Sequence, residues 1–342
     1  MSRDRLHNID LLRLILMMMI VTLHYYGWTG LRSSTDIPSY NRIIAQCLSS
    51  LSWCAVNAFF MISGFLIRNK EVSISGMLIV IRIVKIWAKV FLINAIIYLL
   101  AIIGGVIPIN VESLFCMMCP ILSNRYWFIT VFLLLTAVIP FIQNMLVRLS
   151  NVEVLILSLV LLTFDSIQPL FEHNGFGENG YGFLHSLTCL LIGYTIKRYY
   201  SVKIGRGGYF LVYIASCFVG VILYTFINST FKINVSILLC YNSPFYIMAA
   251  VGLICFFNSL SIKNKVVSKL APFSLGIFLI QSQVIRDYIW EDFSHISFVQ
   301  YTPYLLLHYL IVLVICLLAG ITIDGATSKV IEFLTNKRLK YS

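Results

Sequence analysis

The stretch IDLLRLILMMMIVTLHYYGW, residues 9–28, decides the fold. It is 20 residues long and almost wholly apolar, so as a helix at 1.5 Å per residue it would reach across a hydrocarbon layer of about 30 Å. It is too long for the apolar core of a cleaved signal peptide, and no small-residue cleavage site follows it. The expectation is a retained membrane anchor that begins an integral domain.

Reading outward, apolar runs bounded by polar residues recur near 48–67, 84–103, 126–147, 153–170, 181–199, 209–228, 238–258, 271–290 and 302–323. The fold class predicted is all-α, a polytopic membrane protein of about ten transmembrane helices with both termini cytoplasmic. Composition agrees: 59% of the 342 residues are hydrophobic, only 11% are charged, and the mean hydropathy is +0.89. A soluble domain carries about 25% charge, so this surface could not keep the chain in water. The ten spans use up most of the length, which leaves one membrane domain over residues 1–342 and no soluble domain.

The formal charge of +11 raises the question of nucleic acid, but the cations form no basic arm or face. They sort by side of the membrane instead. With the N-terminus inside, 19 of the 25 Lys and Arg fall in cytoplasmic segments. Five (Arg32, Arg42, Arg125, Lys232 and Arg286) fall on the opposite side, and Arg13 lies within the first span. One span more or fewer would scramble this pattern, so the positive-inside bias supports both count and orientation. The outer loops carry Asp36, Glu112, Glu172, Glu178, Asp287, Glu291 and Asp292. The nine cysteines suggest neither a disulfide framework nor a metal centre, because most lie in apolar runs and Cys116-x-x-Cys119 has no second pair. The two halves show no internal repeat of the kind transporters carry.

The first span also carries chemistry. Asp10, Arg13 and His24 are ionisable groups in a membrane helix, where each is costly enough to suggest function. Eleven residues separate Arg13 from His24, which returns them to within roughly 20° of one face and about 16 Å apart along the axis. Asp10 stands three residues before Arg13 and can pair with it. A cation near the cytoplasmic face and an imidazole deeper in the membrane suit a long ligand with an anionic head, and coenzyme A has that form. A neutral imidazole could act as general base on an acceptor hydroxyl. The bland alternative is that Arg13 snorkels to headgroups and His24 sits in the interfacial belt beside Trp28.

Five segments together resemble the acyltransferase-3 family of membrane acyltransferases. Asn8-Ile-Asp-Leu-Leu-Arg13, followed by His24-Tyr-Tyr26, resembles the family's opening helix. Asn57-Ala-Phe-Phe-Met-Ile-Ser-Gly-Phe-Leu66 is similar to its aromatic run into Ser-Gly-Phe. Arg82-Ile-Val-Lys85 resembles its Arg-x-x-Arg, Tyr126-Trp-Phe-Ile129 the aromatic opening of the fourth helix, and Ser274-Leu-Gly-Ile-Phe-Leu-Ile280 a late apolar run. The resemblance implies a bacterial inner-membrane O-acetyltransferase, of the type that modifies surface polysaccharide such as O-antigen. It would move acetyl from cytoplasmic acetyl-CoA, a substrate rather than a cofactor, to a hydroxyl of a surface glycan or lipid-linked saccharide. It also implies His24 as catalytic base, Arg13 as its paired arginine, and Arg82, Lys85, Ser63, Gly64, Phe65 and Trp127 as acyl-CoA-binding residues, supported by Asp10, Tyr126 and Gln281. Two positions depart from the family's pattern. Gln281 stands where many members have histidine, and glutamine cannot take a proton; Lys85 keeps the charge of arginine but not its bidentate fork.

By spacing alone Ser63 and Gly64 read as helix packing, Tyr126 and Trp127 as belt anchors, and the cations around Arg82 as topology and lipid contacts. His7, His173, His185, His295 and His308 receive no catalytic role. Membrane lipids are expected partners; nucleic acid is not. Transfer could be direct or pass through an acyl-enzyme. A non-enzymatic glycolipid flippase or other secondary transporter is the competing class, and a glycan polymerase a third.

Overall fold

The computed structural model describes residues 6–34, 36–119, 121–122, 126–171, 178–200, 204–233, 235–281 and 288–340, without the side chains of 113, 117, 293 and 334–340. The expected loop residues Arg125, Glu172, His173, Arg286 and Asp287 therefore lie outside the described residues, as does part of the expected span 271–290.

Most of the described residues are helical and none lies in a strand. The helices are α1 (His7–Trp28), α2 (Ser39–Ser52), α3 (Ala55–Phe65), α4 (Gly76–Ile103), α5 (Val111–Met118), α6 (Trp127–Arg148) and α7 (Asn151–Leu162). They continue with α8 (Phe183–Tyr199), α9 (Arg206–Phe231), α10 (Pro244–Asn258), α11 (Lys265–Leu270), α12 (Ser274–Gln281), α13 (Ile296–Val299) and α14 (Leu305–Lys340). Helix is what lipid demands, because every backbone N–H and C=O must be satisfied within the segment.

Among the described residues, eight stretches are long and apolar enough to cross a bilayer: 7–28, 39–65, 76–103, 127–148, 151–170, 206–231, 236–258 and 305–333. Each overlaps an expected span, but several differ in shape. The second is two helices, α2 and α3, broken at Trp53 and Cys54. In α2 the polar or small residues Asn41, Ala45 and Ser49, one turn apart, are buried, so a segment too polar to stand out in the sequence still folds as helix. Asn41 Nδ2 donates to the carbonyls of Gln300 and Thr302 at 2.8 and 2.9 Å. Helix α4 starts eight residues before the expected span, because Arg82 is a good helix former whose charge does not stop it. Helix α14 runs 36 residues, about 54 Å by helical rise, past the expected end at 323.

The remaining two expected spans are not among the eight. Span 181–199 corresponds to the 17-residue α8, whose buried residues include His185, Ser186 and Thr188. Its polarity is tolerated because these groups face neighbouring helices. Span 271–290 corresponds in its described part to a helical run from Lys265 to Gln281 and a π-turn at Tyr288–Phe293.

The chain divides into two compact units. The first comprises Met1–Leu16, Ser50–Gly76 and Val131–Lys265. In it α3 crosses α8 with backbone nearly touching backbone: a Cβ on Gly64 would lie 1.8 Å from the Leu190 oxygen, and one on Gly193 1.9 Å from the Met61 oxygen. Only glycine permits this approach. Helix α7 opens on a capping box, with Ser150 Oγ accepting the Glu153 N–H and Glu153 Oε2 accepting the Ser150 N–H. It ends in a π-turn, Thr163–Ile167, ahead of Pro169.

The second unit comprises Met17–Ser49, Met77–Thr130 and Val266–Ser342. Here α12 lies on α14 just as closely: a Cβ on Gly276 would be 2.2 Å from the Gly320 oxygen. Asp324 on α14 is fully buried, accepts the Gly276 N–H at 2.8 Å and pairs with Lys89 of α4 at 2.6 Å. This carboxylate ties three helices together.

Candidate active site

His24 lies one turn before the end of α1, half-buried. Trp28, the next residue on the same helical face, stacks on its ring with centroids 3.7 Å apart and planes 13° from parallel. Phe278 of α12 stands 6.3 Å from it. His24 Nδ1 is 3.1 Å from Gln281 Oε1 at the end of α12. Gln281 is wholly buried, its Nε2 donates to the Ile277 carbonyl at 3.0 Å, and its own carbonyl accepts the Trp290 indole N–H at 3.2 Å.

The neighbouring wall of the second unit is aromatic and hydrogen-bonded. His308 Nε2 faces the Ser294 carbonyl at 2.7 Å and must donate to it, and in the neutral ring Nδ1 then accepts from the Tyr25 hydroxyl at 2.8 Å. Tyr309 OH and Thr22 Oγ1 are 2.6 Å apart. Tyr126 is fully buried, 6.1 Å from the Phe278 ring, and its hydroxyl donates to Asn94 Oδ1 at 3.3 Å. Trp127, half-buried, meets Phe128 edge-on at 6.1 Å, and Phe128 in turn packs 5.6 Å from Phe278. Of the residues singled out in the sequence, His24, Gln281, Tyr126 and Trp127 thus lie in one unit, with Phe278 linking His24, Tyr126 and Phe128. Arg82 and Lys85 belong to the same unit and are exposed on α4.

Arg13, Asp10, Ser63, Gly64 and Phe65 lie in the first unit. Arg13 Nη1 is 3.7 Å from Asp10 Oδ1, with the carboxylate buried and the guanidinium about one-third exposed. Ser63 Oγ donates to the Phe59 carbonyl, Gly64 is the contact with α8, and Phe65 is buried.

Sequence reading passed over two buried charge pairs. Lys89, two turns beyond Arg82 on α4, turns inward to Asp324. His185 Nδ1 lies 2.7 Å from Asp165 Oδ2, both fully buried, and His185 Nε2 faces Asn57 Oδ1 at 2.9 Å and Cys189 Sγ at 3.6 Å. The available signal was a lone acid in an apolar run, Asp165 in the fifth expected span and Asp324 just past the tenth. Among the described residues no group of three or more His, Cys, Asp or Glu could hold a metal ion.

No curated protein and no solved structure matches the chain significantly. The sequence model of the acyltransferase-3 family, described as an acyltransferase domain, matches residues 6–323. That match takes in α1 through about the first half of α14, including His24, Gln281 and the other site residues singled out in the sequence. The chain belongs to the acyltransferase-3 family of membrane acyltransferases.

Proposed function

We propose that this protein is an O-acetyltransferase of the bacterial inner membrane, with about ten spans and both termini cytoplasmic. It moves acetyl from cytoplasmic acetyl-CoA to a hydroxyl of a surface polysaccharide or lipid-linked saccharide. The observation that carries the reading is the family match, joined to a half-buried imidazole, His24, in a first helix whose sequence resembles the family's opening helix.

In this reading His24 takes the proton of the acceptor hydroxyl as its oxygen attacks the thioester carbonyl. The C–O bond forms, the C–S bond breaks, and the coenzyme thiolate leaves with the proton that His24 returns. The products are an acetyl ester and free coenzyme A. Arg82 and Lys85, exposed on α4, offer their charge to the coenzyme's phosphates. Arg13, eleven residues before His24 on α1, is the paired arginine, oriented by Asp10. The aromatic wall around Phe278 suits an acyl or sugar pocket.

The test is the content of base-labile acetyl esters on surface glycans of cells lacking the gene, complemented with wild type or His24→Ala at matched membrane levels. Esters restored by wild type alone support the reading. Ester levels unchanged in all strains overturn it and move glycolipid transport to the front.

A further inference from the structure

The hydrogen bonds at Gln281 determine which proton His24 carries. A side-chain amide has one end that only donates and one that only accepts. Gln281 Nε2 lies 3.0 Å from the Ile277 carbonyl oxygen, one turn back in α12. A carbonyl only accepts, so the NH2 end must be the one facing it, and the amide cannot be turned over without setting oxygen against oxygen. The other end, Oε1, is therefore an acceptor held 3.1 Å from His24 Nδ1. A ring nitrogen at that distance from an amide oxygen must bear hydrogen.

The surroundings keep this arrangement in place. Gln281 is fully buried, and the Trp290 indole pins its backbone carbonyl. Trp28, stacked on the imidazole at 3.7 Å, opposes rotation of the ring. Gln281 sits on the short α12, whose first turn is anchored by the Gly276 N–H to Asp324 bond of 2.8 Å.

We propose that Gln281 is a positioning residue that holds neutral His24 as its Nδ1–H tautomer, which places the basic lone pair on Nε2 for the acceptor hydroxyl. The inference rests on the acyl-transfer reading for its catalytic meaning. It assigns a neutral amide the orienting task that a carboxylate performs in many base-orienter pairs. The amide fixes the tautomer without adding a negative charge to a membrane-buried position, which lipid surroundings would penalise.

The experiment uses the full chain in detergent micelles with 15N-labelled histidine, under alkaline conditions that keep imidazoles neutral, with His24 assigned by subtracting the His24→Ala spectrum. Wild type is expected to show a protonated Nδ1 and an unprotonated Nε2 at His24. Gln281→Met, close in volume but without the amide, is expected to give a mixture of tautomers. An Nε2-protonated His24 in wild type, or an unchanged pattern in Gln281→Met, overturns the proposal. In acetyl transfer, Gln281→Met should lower kcat roughly 10- to 100-fold with KM for acetyl-CoA within about twofold. Because the spectrum needs no turnover, a protein with the expected tautomer but no acetyl transfer sinks the functional reading and leaves the Gln281 lock standing. If a Gln281→Met protein is poorly folded, Gln281→Leu is read in its place, and the wild-type spectrum decides the tautomer in any case.

Discussion

Lys89 Nζ lies 2.6 Å from Asp324 Oδ1, joining α4 to α14 through a carboxylate that is wholly buried. The same group receives the Gly276 N–H on Oδ2 and the Ser328 hydroxyl on Oδ1. Removing the cation alone strands a buried charge, which costs about 3–5 kcal/mol, whereas removing both charges costs less. Lys89→Met should therefore lower the unfolding temperature of the detergent-solubilised protein and its level in the membrane. Adding Asp324→Asn should recover part of the loss. Equal stability of Lys89→Met and wild type would show that the pair contributes nothing.

The contact of α12 with α14 has no room for a side chain at Gly320, where a Cβ would sit 2.4 Å from the Ile277 Cα. Five residues further along the same helix, a Cβ on Gly325 would meet nothing within 4 Å. Gly320→Ala should destabilise by the shift it forces between two backbones. Gly325→Ala should be neutral or stabilise by about 0.5–1 kcal/mol through helix propensity alone. Thermal unfolding of the two variants side by side separates packing from propensity.

Asn57 Nδ2 donates to the Tyr241 carbonyl at 2.7 Å, so its oxygen must accept from His185 Nε2–H. Asn57→Leu leaves a buried N–H and a buried carbonyl without this partner, at a cost of about 1–3 kcal/mol for each. The expected result is a clear drop in thermal stability; a leucine variant as stable as wild type would mean that other groups or water replace the amide.

Under the proposed reaction, cations and imidazole should separate kinetically in membrane vesicles assayed over a range of acetyl-CoA concentrations. Arg82→Ala should raise KM about 10-fold or more with little change in kcat, the loss of one charge-assisted hydrogen bond. His24→Ala should cut kcat by about 10²- to 10⁴-fold. Lys85→Arg, which supplies a planar fork for phosphate, should lower KM. A KM unmoved by both cation changes would return Arg82 and Lys85 to topology and lipid contact.

Much of the architecture was legible in the primary structure because membrane helices are read one segment at a time. A run such as residues 9–28 satisfies its own backbone and needs only apolar side chains to sit in lipid, so its length and composition were enough. The segments that hid are those stabilised by neighbours. The amphipathic α2 buries Asn41, Ala45 and Ser49 against other chain segments, so its first turns lack the uniform apolar surface that a hydropathy reading detects.

The sequence by itself determined that the protein is helical and membrane-spanning, that it belongs among the acyltransferases, and that His24 stands out as an ionisable group in the first helix. Tertiary structure alone decided what each buried polar group meets. Gln281 lies 257 positions from His24 and Asp324 lies 235 from Lys89, and no local periodicity links residues so far apart. Such pairs form because, away from water, a polar group must find its partner wherever the packing of helices brings one within about 3 Å.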